Sequence, residues 1–203
     1  MAEKIVIEVY KTKAPEEMTK LFAEPDGRLD TGSAAALTAA SAAALMERAA
    51  ALTAGKLADS ERVGYILRNM ENMRGYMVHL IDEDVKSRAP LRKAIQEGDE
   101  HHIEASRQTA ACIPNEIVNM MGQCLELMAE LIELCPAEAV QYIGAGAELA
   151  MSAIKASMIY LVNLSGKCAD ETYRFVVRRE NELSYQHCKE VFAGIMDKVT
   201  AQI

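Results

Sequence analysis

The sequence predicts an all-α fold: one domain over residues 1–203, a bundle of about five to six helices with Ala- and Gly-rich helices at its centre and a short N-terminal strand. Three observations lead there. Half of the 203 residues are apolar, yet only 5% are aromatic and Trp is absent, while the helix formers Ala, Met, Leu and Glu are abundant. Apolar residues recur at helical spacing through several long stretches. Between Ala34 and Leu52, eleven of nineteen positions are Ala, side chains small enough to let helix axes approach to the near end of the ~8–10 Å packing range.

The elements follow in order. "KIVIEVYK" alternates Ile5, Ile7 and Val9 on one face, which predicts a strand that needs a partner, such as the same strand of a second subunit. A short helix is expected from Pro15 to Ala23, then a loop through "EPDGRLDTGS", punctuated by Pro, Asp and Gly. Ser33 precedes the alanines and is expected to N-cap the Ala-rich helix, which runs to about Thr53 and ends near Gly55. An amphipathic helix from about Asp59 carries Val63, Ile66, Leu67, Met70, Met73, Met77, Leu80 and Ile81, and Pro90 is expected to close it because the residue before proline is pushed out of helical geometry. A polar helix from about Pro90 then leads into the run Ile117, Met121, Cys124, Leu125, Met128 and Leu131. Pro136 suits a first helical position, opening a second small-residue helix, and the last helix spans about Ala169 to Ala201.

Composition excludes some functions. A net charge of −8 and a pI near 5.1 leave no basic face for nucleic acid. The charge-free runs are Ala- and Ser-rich and fall short of the roughly 20 strongly apolar residues of a membrane span. "MAEKIVIEVYK" lacks the apolar core and cleavage site of a signal peptide, so a cytoplasmic protein without a membrane partner is expected. The five cysteines form no CxxC pair and are expected as buried, reduced thiols. No metal-ligand cluster, phosphate-binding glycine loop or nucleophile elbow is present; His102-x-Glu104 lacks the Pro-Cys-x-x-Cys of a zinc deaminase and belongs to an exposed polar face with His101.

Two features carry chemistry. Gly32-Ser33 opens a helix whose N-terminal N–H groups suit an anionic or polarised ligand. In "HLIDEDVKSR" the apolar stripe Val63, Met70, Met77 continues with a seven-residue step to Asp84, which places a carboxylate on a core face. Such a group is a candidate for acid–base work or for pairing with Arg88, four residues on. Asp82 lies off this stripe and reads as a surface charge.

These residues together resemble the cyclodeaminase/cyclohydrolase family, the helical half of formiminotransferase-cyclodeaminase and the stand-alone methenyltetrahydrofolate cyclohydrolases. That family has a Gly-Gly-Gly-Ser motif opening an Ala-rich helix that ends Leu-Thr-x-Gly-Lys. Gly32-Ser33 and Leu52-Thr53-Ala54-Gly55-Lys56 match it, as do Asp82-Glu83-Asp84, Ala111 to Pro114, and Asn163-Leu164. The chain departs from the pattern at Asp30 and Thr31 in the Gly triplet, at Ala51, at Ser87-Arg88 after the acidic run, and at Gln141 and Ile159.

The resemblance implies a homodimeric all-α enzyme whose cleft holds a tetrahydrofolate one-carbon adduct as substrate, with no tightly bound cofactor and no metal. A cyclohydrolase opens the methenyl bridge with water; a cyclodeaminase closes formimino-tetrahydrofolate onto its second nitrogen while ammonia leaves. Both pass through a tetrahedral carbon between nitrogens, and carboxylates can take and return the protons. By this resemblance Asp84 and then Asp82 are the catalytic candidates, and Gly32, Ser33, Thr53, Lys56 and Asn163 bind the substrate, with Lys56 meeting its glutamate tail. The alternative is a non-catalytic dimeric member that keeps the scaffold, with or without a folate-like ligand.

Overall fold

Six helices follow one another in the computed structural model, which describes residues 9–57 and 60–202. They are α1 (Pro15–Ala23), α2 (Thr31–Lys56), α3 (Glu61–Glu97), α4 (Glu100–Leu131), α5 (Ala137–Ser165) and α6 (Glu171–Gln202). The all-α architecture is the one the composition predicts. Most of the N-terminal strand expectation falls on residues outside the described range; at its end, Val9 and Tyr10 are not in a strand.

Consecutive long helices run antiparallel, and paired side chains mark their register. Arg74 bonds Glu47 between α3 and α2 at 2.5 Å, Arg62 bonds Glu130 between α3 and α4 at 2.6 Å, and Lys56 meets Glu138 between α2 and α5 at 2.6 Å. Such solvent-facing pairs add little stability. The apolar stripes do that work: Val63, Ile66, Met70, Met73, Met77, Leu80 and Ile81 of α3 face Ile117, Met121, Cys124, Leu125 and Met128 of α4 in one continuous core.

The centre of the bundle is the α2–α5 pair, and its small side chains have a geometric reason. A Cβ built on Gly146 would stand 3.3 Å from the Ala42 carbonyl oxygen and 3.1 Å from the Met128 methyl. The two backbones therefore meet almost directly, at a separation only Gly and Ala permit. By length and composition α2 and α5 would also pass as membrane spans, with half of each apolar window buried inside the bundle. That differs from the sequence expectation, because Ala counts as apolar in such a test. Gly146→Val is expected to lower unfolding stability by about 1–3 kcal/mol through overpacking, read as a lower denaturant midpoint.

Two prolines sit inside helices. Pro90 does not close α3, which continues to Glu97 and stops at Gly98, whose φ of 69° is the left-handed cap glycine adopts readily. Pro114 likewise sits inside α4, which starts at Glu100 and not near Pro90. Each proline removes one helical hydrogen bond. Around Pro90, tertiary contacts hold the chain in helix: Leu91 is buried in a second, smaller core with Ala110, Ala111, Tyr160, Leu161 and Leu164, while Arg88 and Arg92 tie α3 to the 27–30 loop. Pro136 stands one residue earlier than expected, at the N-cap of α5.

All five cysteines are free thiols, of which Cys124, Cys168 and Cys188 are buried, Cys135 is partly so, and Cys112 is exposed. The expectation of burial holds for three of them. Burial pushes the Cys124 thiol up to about 12.

Candidate functional site

The site grows from the start of α2. Asp30, not Ser33, is the N-cap: its Oδ1 accepts from the Thr31 N–H at 2.7 Å, and its backbone carbonyl accepts from Ala34 N–H at 3.0 Å. Asp and Ser are comparable caps. Ser33 therefore falls in the first turn, fully buried, where its N–H (3.0 Å) and hydroxyl (2.7 Å) both reach Asp84 Oδ2. Two of the protein's own carboxylates thus occupy the helix end where an anionic ligand was expected.

Asp84 has no exposed surface. Besides Ser33, Oδ2 accepts from Arg88 Nη2 at 3.0 Å, the i,i+4 pair the sequence suggested. Oδ1 has no hydrogen-bond partner among the described residues and lies against Gly32. A Cβ added at Gly32 would stand 2.2 Å from Oδ1 and 2.7 Å from Cγ. Glycine is required here for close approach, since a carboxylate occupies the space a side chain would fill.

Arg88 carries the polar network outward. Nη1 donates to Asp30 Oδ2 at 3.0 Å and Nη2 to the Arg28 carbonyl at 2.6 Å. Its side chain is 5% exposed and that of Asp30 is 46% exposed. The series Ser33–Asp84–Arg88–Asp30 therefore runs from the interior to solvent. Arg92 reinforces the same loop through the Gly27 and Arg28 carbonyls, and burial, then repulsion from Arg88, lowers its pKa. Tyr160 of α5 closes the assembly from the other side. Burial pushes its phenol well above the usual range, opposed by the Arg88 charge and supported by Asp84 and Asp30, and its hydroxyl has no hydrogen-bond partner among the described residues.

Where this series surfaces there is an open cleft of about 420 Å³. Phe22, Pro25 and Leu29 form one wall; Asp30, Thr31, Ala34, Ala35 and Thr38 form the α2 side, and Ala156 the α5 side. The small residues of α2 leave this face open, so the alanines serve the packed centre and the cleft wall together. Asp30 is the carboxylate of the series that lines the cleft; Asp84 does not. The sequence showed Asp30 only as a departure from the Gly triplet. The missed signals were its place before a helix start and the opposite charges at Asp30 and Arg88, both new relative to the family pattern.

Not every candidate residue gathers here. Gly32, Ser33 and Asp84 meet as described. Asp82 is 5% exposed, which corrects the surface reading: its Oδ1 accepts from the backbone N–H groups of Tyr10 (2.7 Å) and Lys11 (3.1 Å), docking the N-terminal segment onto α3. Thr53 and Lys56 sit roughly 30 and 35 Å along α2 from Ser33, at a ~1.5 Å rise per residue. The Thr53 hydroxyl donates to Ala49 O, and Lys56 pairs with Glu138. Asn163 is exposed in the last turns of α5, at the cleft end of the bundle. His102 stays on an exposed helix start, paired with Asp99, and no group of three metal-ligating side chains exists among the described residues.

Comparison with solved structures matches this fold to the crystal structure of formiminotetrahydrofolate cyclodeaminase from Thermotoga maritima, with a TM-score of 0.86 at 17% identity, covering 94% of this chain and 98% of that one. At that identity the likeness concerns the fold. Comparison with curated protein sequences finds no match. The family model of formiminotransferase-cyclodeaminase matches residues 18–182, from within α1 through the first part of α6 and including every residue of the Ser33–Asp84–Arg88–Asp30 series. The chain therefore belongs to the formiminotransferase-cyclodeaminase family.

Proposed function

We propose that the protein acts on a tetrahydrofolate one-carbon adduct, as a methenyltetrahydrofolate cyclohydrolase or a formiminotetrahydrofolate cyclodeaminase, by acid–base chemistry without a metal or a tightly bound cofactor. Membership of the family supports the folate class. The observation that carries the reading is the cleft at the start of α2, where a carboxylate network with spare acceptor capacity meets a wall of small side chains. Phe22 and Leu29 offer apolar surface to a flat ring, and Thr31 and Thr38 add hydroxyls at its edge. A homodimer in the cytoplasm completes the proposal.

The chemistry needs one proton taken from the attacking water or nitrogen and one given to the leaving nitrogen. Asp30 at the cleft, with Asp84 behind it across Arg88, supports this role, whereas Asp82 is committed to the N-terminal segment. The test is the change in methenyl-tetrahydrofolate absorbance on adding purified protein. Loss from the methenyl compound marks the cyclohydrolase; gain from the formimino compound marks the cyclodeaminase. An inert protein with either adduct refutes the catalytic reading.

One observation favours the second reading, a non-catalytic member of the family. Asp84 is wholly enclosed and Arg88 fills the space beside it, so the arrangement also serves as a buried structural ion pair. Under that reading the protein turns over neither adduct, and calorimetry shows whether it still binds one.

A further inference from the structure

We infer that Asp30, not Asp84, is the carboxylate that exchanges protons with the ligand, and that Arg88 and Asp84 act through it as positioning residues. The inference rests on the tetrahydrofolate reading and assigns roles within it. Access decides the matter. Asp84 is fully buried, with three donors on Oδ2 and the Gly32 backbone against Oδ1. To reach a ligand it would have to release Ser33 and Arg88 together. Asp30 needs no such rearrangement: it lines the cleft and its side chain is 46% exposed.

Orientation is the second argument. A carboxylate oxygen can accept about two hydrogen bonds. Oδ2 of Asp30 accepts one, from Arg88 Nη1, which leaves a lone pair for the ligand. Oδ1 is held by the Thr31 N–H at 2.7 Å and the Thr31 hydroxyl at 3.3 Å. The side chain is thus fixed from both sides, as a proton-transferring group must be. Arg88 is in turn held by Asp84 and by the Arg28 carbonyl, so Asp84 sets the place of Asp30 across one guanidinium.

The steps balance with Asp30 alone touching the reacting atoms. In hydrolysis, water oxygen bonds the methenyl carbon as the carbon–nitrogen π pair moves to nitrogen, and a water proton passes to Asp30. The carbon–nitrogen bond then breaks with that proton going to the leaving nitrogen, and the hydroxyl proton is lost to solvent as the formyl group forms. In the deaminating direction, the second nitrogen bonds the carbon of the protonated formimino group as the carbon–nitrogen π pair moves to the amino nitrogen, and the attacking nitrogen's proton passes to Asp30. Asp30 then returns it to the departing amino group, which leaves as ammonia while the methenyl cation forms.

Asp30→Asn is the sharp variant because Asn caps a helix as well as Asp does and keeps the bond to Thr31, so the α2 start is retained while the acid is lost. Steady-state turnover and calorimetric binding of methenyl-tetrahydrofolate are measured on wild type, Asp30→Asn, Arg88→Lys and the double variant. Asp30→Asn is expected to lower kcat by ~10²–10⁴-fold, with KM, binding and thermal midpoint little changed. Arg88→Lys keeps the charge but loses the two-nitrogen fork, and is expected to lower kcat when Asp30 is present and to have no further effect in the Asp30→Asn background, as groups acting through one another behave. An active wild type with an Asp30→Asn variant at full kcat overturns the inference and leaves the folate reading standing. A wild type that neither binds nor turns over the adduct overturns both.

Discussion

Replacing Arg88 by Met is expected to lower the unfolding free energy by roughly 3–5 kcal/mol, the usual cost of removing one partner of a buried ion pair. Asp84 has no exposed surface, so its charge would remain in the interior with only the Ser33 donors. Asp30, at the rim, would also lose its partner, but solvent compensates there. The prediction is specific because the loss should be partly recovered by adding Asp84→Asn, which removes the stranded charge while its amide oxygen still accepts from Ser33. Denaturant midpoints of wild type, Arg88→Met and the double variant test this. An Arg88→Met protein as stable as wild type would show that the pair is not what holds α2 to α3.

Gly32→Ala should be nearly as damaging, by about 3–5 kcal/mol. An exposed Gly→Ala change in a helix ordinarily stabilises. Here the new Cβ falls 2.2 Å from Asp84 Oδ1, a contact that can be relieved only by moving the carboxylate. That movement breaks the Ser33 and Arg88 bonds at once, and through Arg88 it disturbs Asp30. The variant should therefore lose both stability and ligand binding, while Gly55→Ala, with open space around the added Cβ, should lose neither. Thermal midpoints of the two variants separate this close-approach argument from simple helix propensity.

Patterns local to the sequence foretold much of the molecule. The α3 stripe, the Ala-rich α2 and the small-residue α5 were legible because periodicity and side-chain size act within one helix. The Asp84–Arg88 pair was legible for the same reason, being one turn apart. The failures share a cause as well. Pro90 and Pro114 break the local rule because tertiary contacts outweigh the loss of one hydrogen bond, and no local pattern encodes those contacts. Asp82 looked solvated because its partners are backbone N–H groups some seventy residues away, which carry no sequence signature.

The site was legible as a neighbourhood and not as an arrangement. Gly32, Ser33 and Asp84 meet, but Ser33 lies inside the first turn and not at the cap, because Asp30 takes that position. Asp30 and Arg88 are 58 positions apart, and nothing in the sequence joins the one, a departure from the Gly triplet, to the other, a partner for Asp84. Only the fold shows that together they carry the buried carboxylate's influence to the cleft. Thr53 and Lys56 belong to the same helix as Ser33, and the straightness of that helix is what separates them from it.

A tetrahydrofolate adduct is expected to occupy the cleft at the start of α2 with its one-carbon centre beside Asp30. The most direct measurement is a crystal structure of the wild-type protein grown with a stable formyl-tetrahydrofolate. The adduct should lie in the cleft between Phe22 and Ala156, with its one-carbon group within hydrogen-bond distance of Asp30 and with Arg88 still joined to both Asp30 and Asp84. An adduct ordered elsewhere on the bundle, or one that displaces Arg88 and contacts Asp84 directly, would contradict it.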